Sequence, residues 1–136
     1  LKAISLTLLL LLLIVAGVFY LLPDNSGISA KTDYSNEAVR ISVTSNQEAA
    51  VAMSENSFTL QLTDAAGQPI RQANLKVQLL MPKMYCGIIM AQVSEQTPGS
   101  YLIKGIPVMQ GKWNAEISLR IADQLIRVDH PFIVKS

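Results

Sequence analysis

The stretch "KWNAEISLRIA", residues 112 to 122, decides the fold: Trp113, Ala115, Ile117, Leu119 and Ile121 alternate with Lys112, Asn114, Glu116, Ser118 and Arg120. Successive side chains of a strand point to opposite faces, so a period of two sends the first set to a core and the second to water. "SFTLQLTD" does the same with Phe58, Leu60 and Leu62, and "NLKVQLL" with Leu75, Val77 and Leu79. Between the runs lie turn residues: "DAAGQP" at 64 to 69, "TPGS" at 97 to 100 with Pro98-Gly99 in type II order, and Gly105 and Gly111 bracketing "IPVMQ". Strands are expected near 39–44, 48–53, 57–63, 73–80, 87–93, 100–104, 112–122 and 125–134. No segment after residue 23 carries a helical period. Many short strands in about a hundred residues predict an all-β, immunoglobulin-like antiparallel β-sandwich over residues 39–136. Cys86 is the only cysteine, so no intrachain disulfide braces this sandwich and the core rests on apolar packing.

The N-terminus is built differently. From Ile4 to Leu22 the chain reads "ISLTLLLLLLIVAGVFYLL" without a charge, and as a helix it would rise about 28 Å, close to the hydrocarbon thickness of a bilayer. A cleaved secretory signal has a shorter apolar core and ends at small residues. This run ends in Phe19, Tyr20, Leu21, Leu22 and Pro23, which favours an uncleaved transmembrane signal anchor over residues 1–22. Residues 23–38, "PDNSGISAKTDYSNEA", are polar, contain Pro and Gly, and read as a flexible tether. An anchor near the start followed by a polar domain predicts a single-pass protein with its C-terminal domain on the extracytoplasmic side.

Charge and composition exclude some functions. The net charge is +1, with both signs interspersed and no basic patch interleaved with aromatics, so nucleic acid is not an expected partner. Nucleophilic catalysis by a Ser/Cys–His–acid set needs a histidine, and His130 is the only one. Its neighbour Asp129 would point to the opposite face of a strand. If that strand runs unbroken, His130 shares the face of Ile126 and Val128; Pro131 favours an edge or a bulge instead. His130 is expected to be a structural or rim residue, and no enzyme is expected.

One cluster remains. "MPKMYCGIIM", residues 81 to 90, holds three of the five methionines and the cysteine. Thioether and thiolate are soft donors suited to Cu(I), and Met81, Met84 and Cys86 form an M-x2-M-x-C group where Pro82 and Gly87 interrupt a strand. Met109, in the loop before Trp113, joins them if the two loops meet at one end. The competing reading is packing, because Met fills irregular gaps and free Cys is often buried as a small hydrophobe.

The succession "NSFTLQLTDAAGQPIRQANLKVQLLMPKM", "TPGSYLIKG" and "VMQGKWNAEISL" resembles the FixH and YtkA-like family of bacterial extracytoplasmic domains. The shared pattern is a strand, a D-x-x-G-x-P-I/V-x-x-A turn, a strand running into M-P-x-M, a P-G-x-Y turn, and M-x-G-x-W opening a strand. The resemblance implies a membrane-tethered β-sandwich on the periplasmic or outer side of the bacterial cytoplasmic membrane. It further implies association with haem-copper oxidases and with copper handling during their assembly. Met81 and Met84 occupy M-P-x-M; Met109, Gly111 and Trp113 occupy M-x-G-x-W. This chain departs from the pattern after M-P-x-M, where copper-binding members carry histidine or further methionine and this one has "YCGIIM". Two functions are therefore expected. One is assembly or copper supply for a haem-copper oxidase-type complex, with Cu(I) on Met81, Met84, Cys86 and Met109. The alternative is a metal-free, non-catalytic accessory subunit bracing a membrane electron-transfer complex. Both place the lipid bilayer and an integral membrane respiratory complex among its partners.

Overall fold

A computed structural model describes residues 2–21, 30–84 and 87–136. One helix, α1 (Lys2–Leu21), precedes β1 (Lys31–Ser35), β2 (Val39–Ser45), β3 (Ala50–Val51), β4 (Asn56–Asp64), β5 (Asn74–Leu80), β6 (Ile89–Met90), β7 (Gln92–Thr97), β8 (Ser100–Gly105), β9 (Gly111–Ile121) and β10 (Gln124–Lys135). They form two sheets, ordered β1-β2-β4-β8-β7 and β3-β10-β9-β5-β6. The period-two runs behave as expected. Phe58, Leu60, Leu62 and Ile103 of the first sheet meet Val77, Leu79, Ile117 and Leu119 of the second, all without exposure. Fully burying one such side chain stabilises the fold by roughly 1.5–3 kcal/mol.

Turn chemistry sets the register. Gly99 has φ 74, as the third position of a type II turn requires, and a Cβ there would lie 2.7 Å from Pro69 Cβ. Asn36 Oδ1 accepts hydrogen bonds from the backbone N–H groups of Ala38 and Val39, each at 2.8 Å, and so shapes the β1–β2 turn. Beside the 97–100 turn at the same end, the Tyr101 hydroxyl donates to the Ile70 carbonyl at 2.7 Å and accepts from the Ala73 N–H at 3.0 Å.

The structure corrects the expected strands in three places. Lys31–Ser35, placed in the tether by its polarity, is an edge strand paired along its whole length with β2, from Lys31 against Thr44 to Ser35 against Arg40. The run expected at 87–93 splits at Ala91, where the chain leaves the second sheet and joins the first. The strand expected at 48–53 shrinks to Ala50–Val51, and it runs parallel to the end of β10, the exception in an otherwise antiparallel sandwich.

His130 lies on the face of Ile126 and Val128, inside an unbroken β10. Pro131 is tolerated because β10 pairs with β9 on one side and meets β3 on the other only at Val134 and Lys135. The fully buried ring crosses between sheets: Nδ1 is 2.8 Å from Thr32 Oγ1 of β1, and Nε2 is 2.8 Å from Ser45 Oγ of β2. In the neutral ring one nitrogen donates to a hydroxyl and the other accepts from one. Phe58 packs edge-on to His130 at 5.5 Å and to Phe132 at 4.9 Å.

The helix stands apart from this core. Its described side chains are exposed, Leu8 at 69% and Leu9 at 61%, and none belongs to the buried cluster. Among the described residues no helix is long and apolar enough to cross a membrane, so the fold does not establish the span expected over residues 1–22.

Burial pushes the His130 pKa below the ordinary 6.5. As pH falls through about 6.5, the unfolded chain takes up a proton that the folded chain resists. This contribution is therefore complete above that pH and declines on acidification until the folded pKa is passed. Urea unfolding should show a lower midpoint at pH 5 than at pH 7.5, and His130→Gln should reduce the difference. An unchanged difference would place its origin in other groups.

Candidate functional site

The strand register gathers the described candidate residues, Met81, Met84 and Met109, at one end of the sandwich. β1 begins there, opposite the end of β2; β4 begins there opposite Gly105; β9 begins at Gly111 opposite Val134 of β10; and β5 ends at Leu80 opposite Asn114. The connections at this end are residues 46–49, 52–55 and 106–110 and the described residues 81–84 and 87–88.

The methionines there do different work. Met81 is 9% exposed and belongs to the core. Its methyl lies over Gly111, where a Cβ would come 2.7 Å from Met81 Cε, and Gly111 has φ 138, a conformation side chains rarely adopt. Trp113, buried to 2%, donates from Nε1 to the Met109 carbonyl at 2.9 Å. M-P-x-M and M-x-G-x-W are thus joined by packing: Met81 on Gly111, Trp113 on the backbone of Met109. The Met109 side chain remains 37% exposed. Met84 is 47% exposed, held in a tight turn by its N–H on the Met81 carbonyl at 3.2 Å.

Met81 and Met84 line one apolar cavity of about 440 Å³ together with Leu80, Pro82, Gly87 and Ile88. Met109 does not line it, and Cys86 lies outside the described residues. The described residues therefore bring two of the four expected soft donors to one cavity, one of them packed in the core. Among them no group of three or more His, Cys, Asp or Glu is placed to hold a metal ion. His130 is walled in by two hydroxyls, with Asp129 exposed on the opposite face of its strand, so no catalytic pair forms there.

Sequence reasoning passed over Asn56. Its Oδ1 accepts from the Val51 N–H at 2.9 Å, and its Nδ2 donates to the carbonyls of Val51 and Ser54 at 2.8 Å each. These bonds hold the 52–55 turn, and the Met53 N–H on the Pro107 carbonyl at 2.7 Å joins that turn to the 106–110 loop. The available signal was a lone Asn at the mouth of an alternating run. "IPVMQ" carried a second one, since three apolar side chains between glycines exceed what a turn needs.

Two facing sheets with this connectivity define an immunoglobulin- or filamin-like sandwich domain. The fold is similar to the filamin domain of Lin-41, with a TM-score of 0.54 and 12% identity over 81% of this chain and 98% of that one. It is also similar to a DUF4785 family protein from Legionella pneumophila, with a TM-score of 0.52 and 12% identity over 71% of this chain, which spans 28% of the length of that one. At such identities the likeness is one of fold alone. No curated protein matches the chain in sequence. The chain belongs to the YtkA-like family, whose family model matches residues 33–118, from inside β1 to inside β9.

Met81→Ala should cost about 2–5 kcal/mol of stability, the range for truncating a buried methionine. Met84→Ala should stay within about 0.5 kcal/mol, as for an exposed side chain. Equal losses in denaturant titrations would contradict the division of labour between the two.

Proposed function

We propose that the protein is a membrane-anchored, non-catalytic domain on the extracytoplasmic side of a bacterial cytoplasmic membrane. There it assists the assembly of, or braces, a respiratory complex of haem-copper oxidase type. Membership of the YtkA-like family supports this, as does the charge-free run from Ile4 to Leu22, which overlaps α1 from Ile4 to Leu21 and would rise about 28 Å as a continuous helix. The observation that carries the reading is the character of the methionine-bearing end. Met84 and Met109 stand exposed there, and methionine, flexible and polarizable, suits a surface that receives a partner. The domain's sole histidine is committed to holding the sheets together.

A second reading, copper supply, is favoured by the cavity shared by Met81 and Met84. In that reading Met81, Met84 and Cys86, joined by Met109, would hold Cu(I).

Tagged full-length chain extracted in mild detergent should co-purify a haem-bearing complex; a protein that always runs alone would sink the accessory reading. Anaerobic competition titration of the same chain with Cu(I) tests the second. One equivalent lost on combining Met84→Ala with Cys86→Ser supports copper supply, and an unchanged affinity removes it.

A further inference from the structure

Large apolar side chains are distributed very unevenly over the sandwich. Among the described residues outside the helix, Met53, Met84, Ile88, Ile106, Val108 and Met109 are all between 37% and 72% exposed on the loops of one end. The opposite end, formed by the turns near 36–38, 64–69, 97–100 and 122–123, exposes only Leu125 of this class. The apolar loops form one surface. Met53 N–H bonds to Pro107, Met81 of the 81–88 loop packs on Gly111, and Met109 receives Trp113. Met53, 72% exposed, is presented on a backbone with φ 60, a left-handed conformation uncommon for methionine.

Two further features say what covers this end. The chain enters the sandwich here, at Lys31, and the backbone from Leu21 of the helix to Ala30 reaches at most about 30 Å even when fully extended. The charges are also one-sided. Lys83, Lys112 and Lys135 are exposed around the apolar loops. Of the carboxylates near this end among the described residues, Glu55 is bridged to Lys104 at 2.9 Å, Asp33 pairs with Lys31 at 3.4 Å, Asp129 lines a pocket with Lys112 and Pro82, and Glu48 remains. Apolar side chains ringed by lysine match the interface of a bilayer carrying anionic lipid.

We infer that this end of the sandwich docks on the membrane surface, with Met53, Ile106 and Val108 inserted among the headgroups and Lys83, Lys112 and Lys135 against anionic lipid. The inference rests on the anchor reading above and deepens it: the loops of Met53, Ile106 and Val108 lie on the bilayer, and Met84 and Met109 at the same end are held at its surface, where an integral membrane partner would meet them, rather than swinging above it.

The test uses the full chain with Cys86→Ser in nanodiscs of phosphatidylglycerol and phosphatidylcholine. Single cysteines bearing a fluorophore are introduced by Leu10→Cys, Val108→Cys or Asp123→Cys, and doxyl lipids are the quenchers. The label at 108 should sit about 5–10 Å into the headgroup–acyl boundary and lose emission to shallow doxyl groups. The label at 123 should not, and omitting phosphatidylglycerol should weaken the quenching at 108. Quenching at 10 with none at 108 beyond that at 123 would leave the anchor standing and overturn docking. Mutual quenching of labels at 108 within one disc would assign the end to a second copy and overturn docking equally. Quenching at neither 10 nor 108 would overturn both readings, whereas quenching at 108 alone would uphold docking and remove the anchor.

Discussion

Everything in this domain depends on holding two sheets face to face without a covalent bridge. With a single cysteine, the contact must come from interdigitating side chains and from the few polar groups that reach across. Phe58 of β4 is central, packing edge-on to both His130 and Phe132 of β10. Beside it, the His130 ring meets one hydroxyl from β1 and one from β2. A buried polar group stabilises only when its hydrogen bonds are complete, and here each ring nitrogen has a partner. The histidine is therefore a polar rivet in an apolar seam, and it recruits β1, an edge strand with little apolar surface of its own.

The same economy explains the methionine motifs. A strand leaving the sheet at Leu80 must pass the start of β9, and the gap between them is filled by the Met81 methyl lying on Gly111. A branched side chain adapts poorly to such an irregular space, whereas methionine does so readily, and glycine opposite it provides both the room and the positive φ. Trp113 then closes the floor through the Met109 carbonyl. Spacings that look like a ligand set on paper are in part the fingerprint of this joint. What they leave available to a partner is the side chain of Met109 and that of Met84 with the cavity it lines.

The sequence was most legible where one face is wet and the other dry. β4, β5 and β9 alternate cleanly, and their inward residues form the core. For His130 parity with Ile126 and Val128 was one of two readings, and it holds because β10 runs unbroken through Pro131, which β3 does not reach. Legibility failed where pairing rather than burial makes the strand. "KTDYS" has no apolar period, and it is ordered by hydrogen bonds to β2 and by Thr32 reaching His130. It failed again where one apolar run serves two sheets, since Ile89 and Val93 look continuous although the chain changes sheet at Ala91. Parity is also lost after Pro82, so nothing in the spacing of Met81 and Met84 told the buried one from the exposed one. Cys86 lies outside the described residues.

The position of β1 also has a mechanical meaning. The strand starts at the end where the chain comes in, so a pull on Lys31 away from the sandwich acts along the strand axis. The bonds between β1 and β2 then bear the load together, as in a lap joint, and the Thr32–His130 bond passes part of it to the other sheet. A polar edge strand that adds little to the core is thus well placed to carry tension into it.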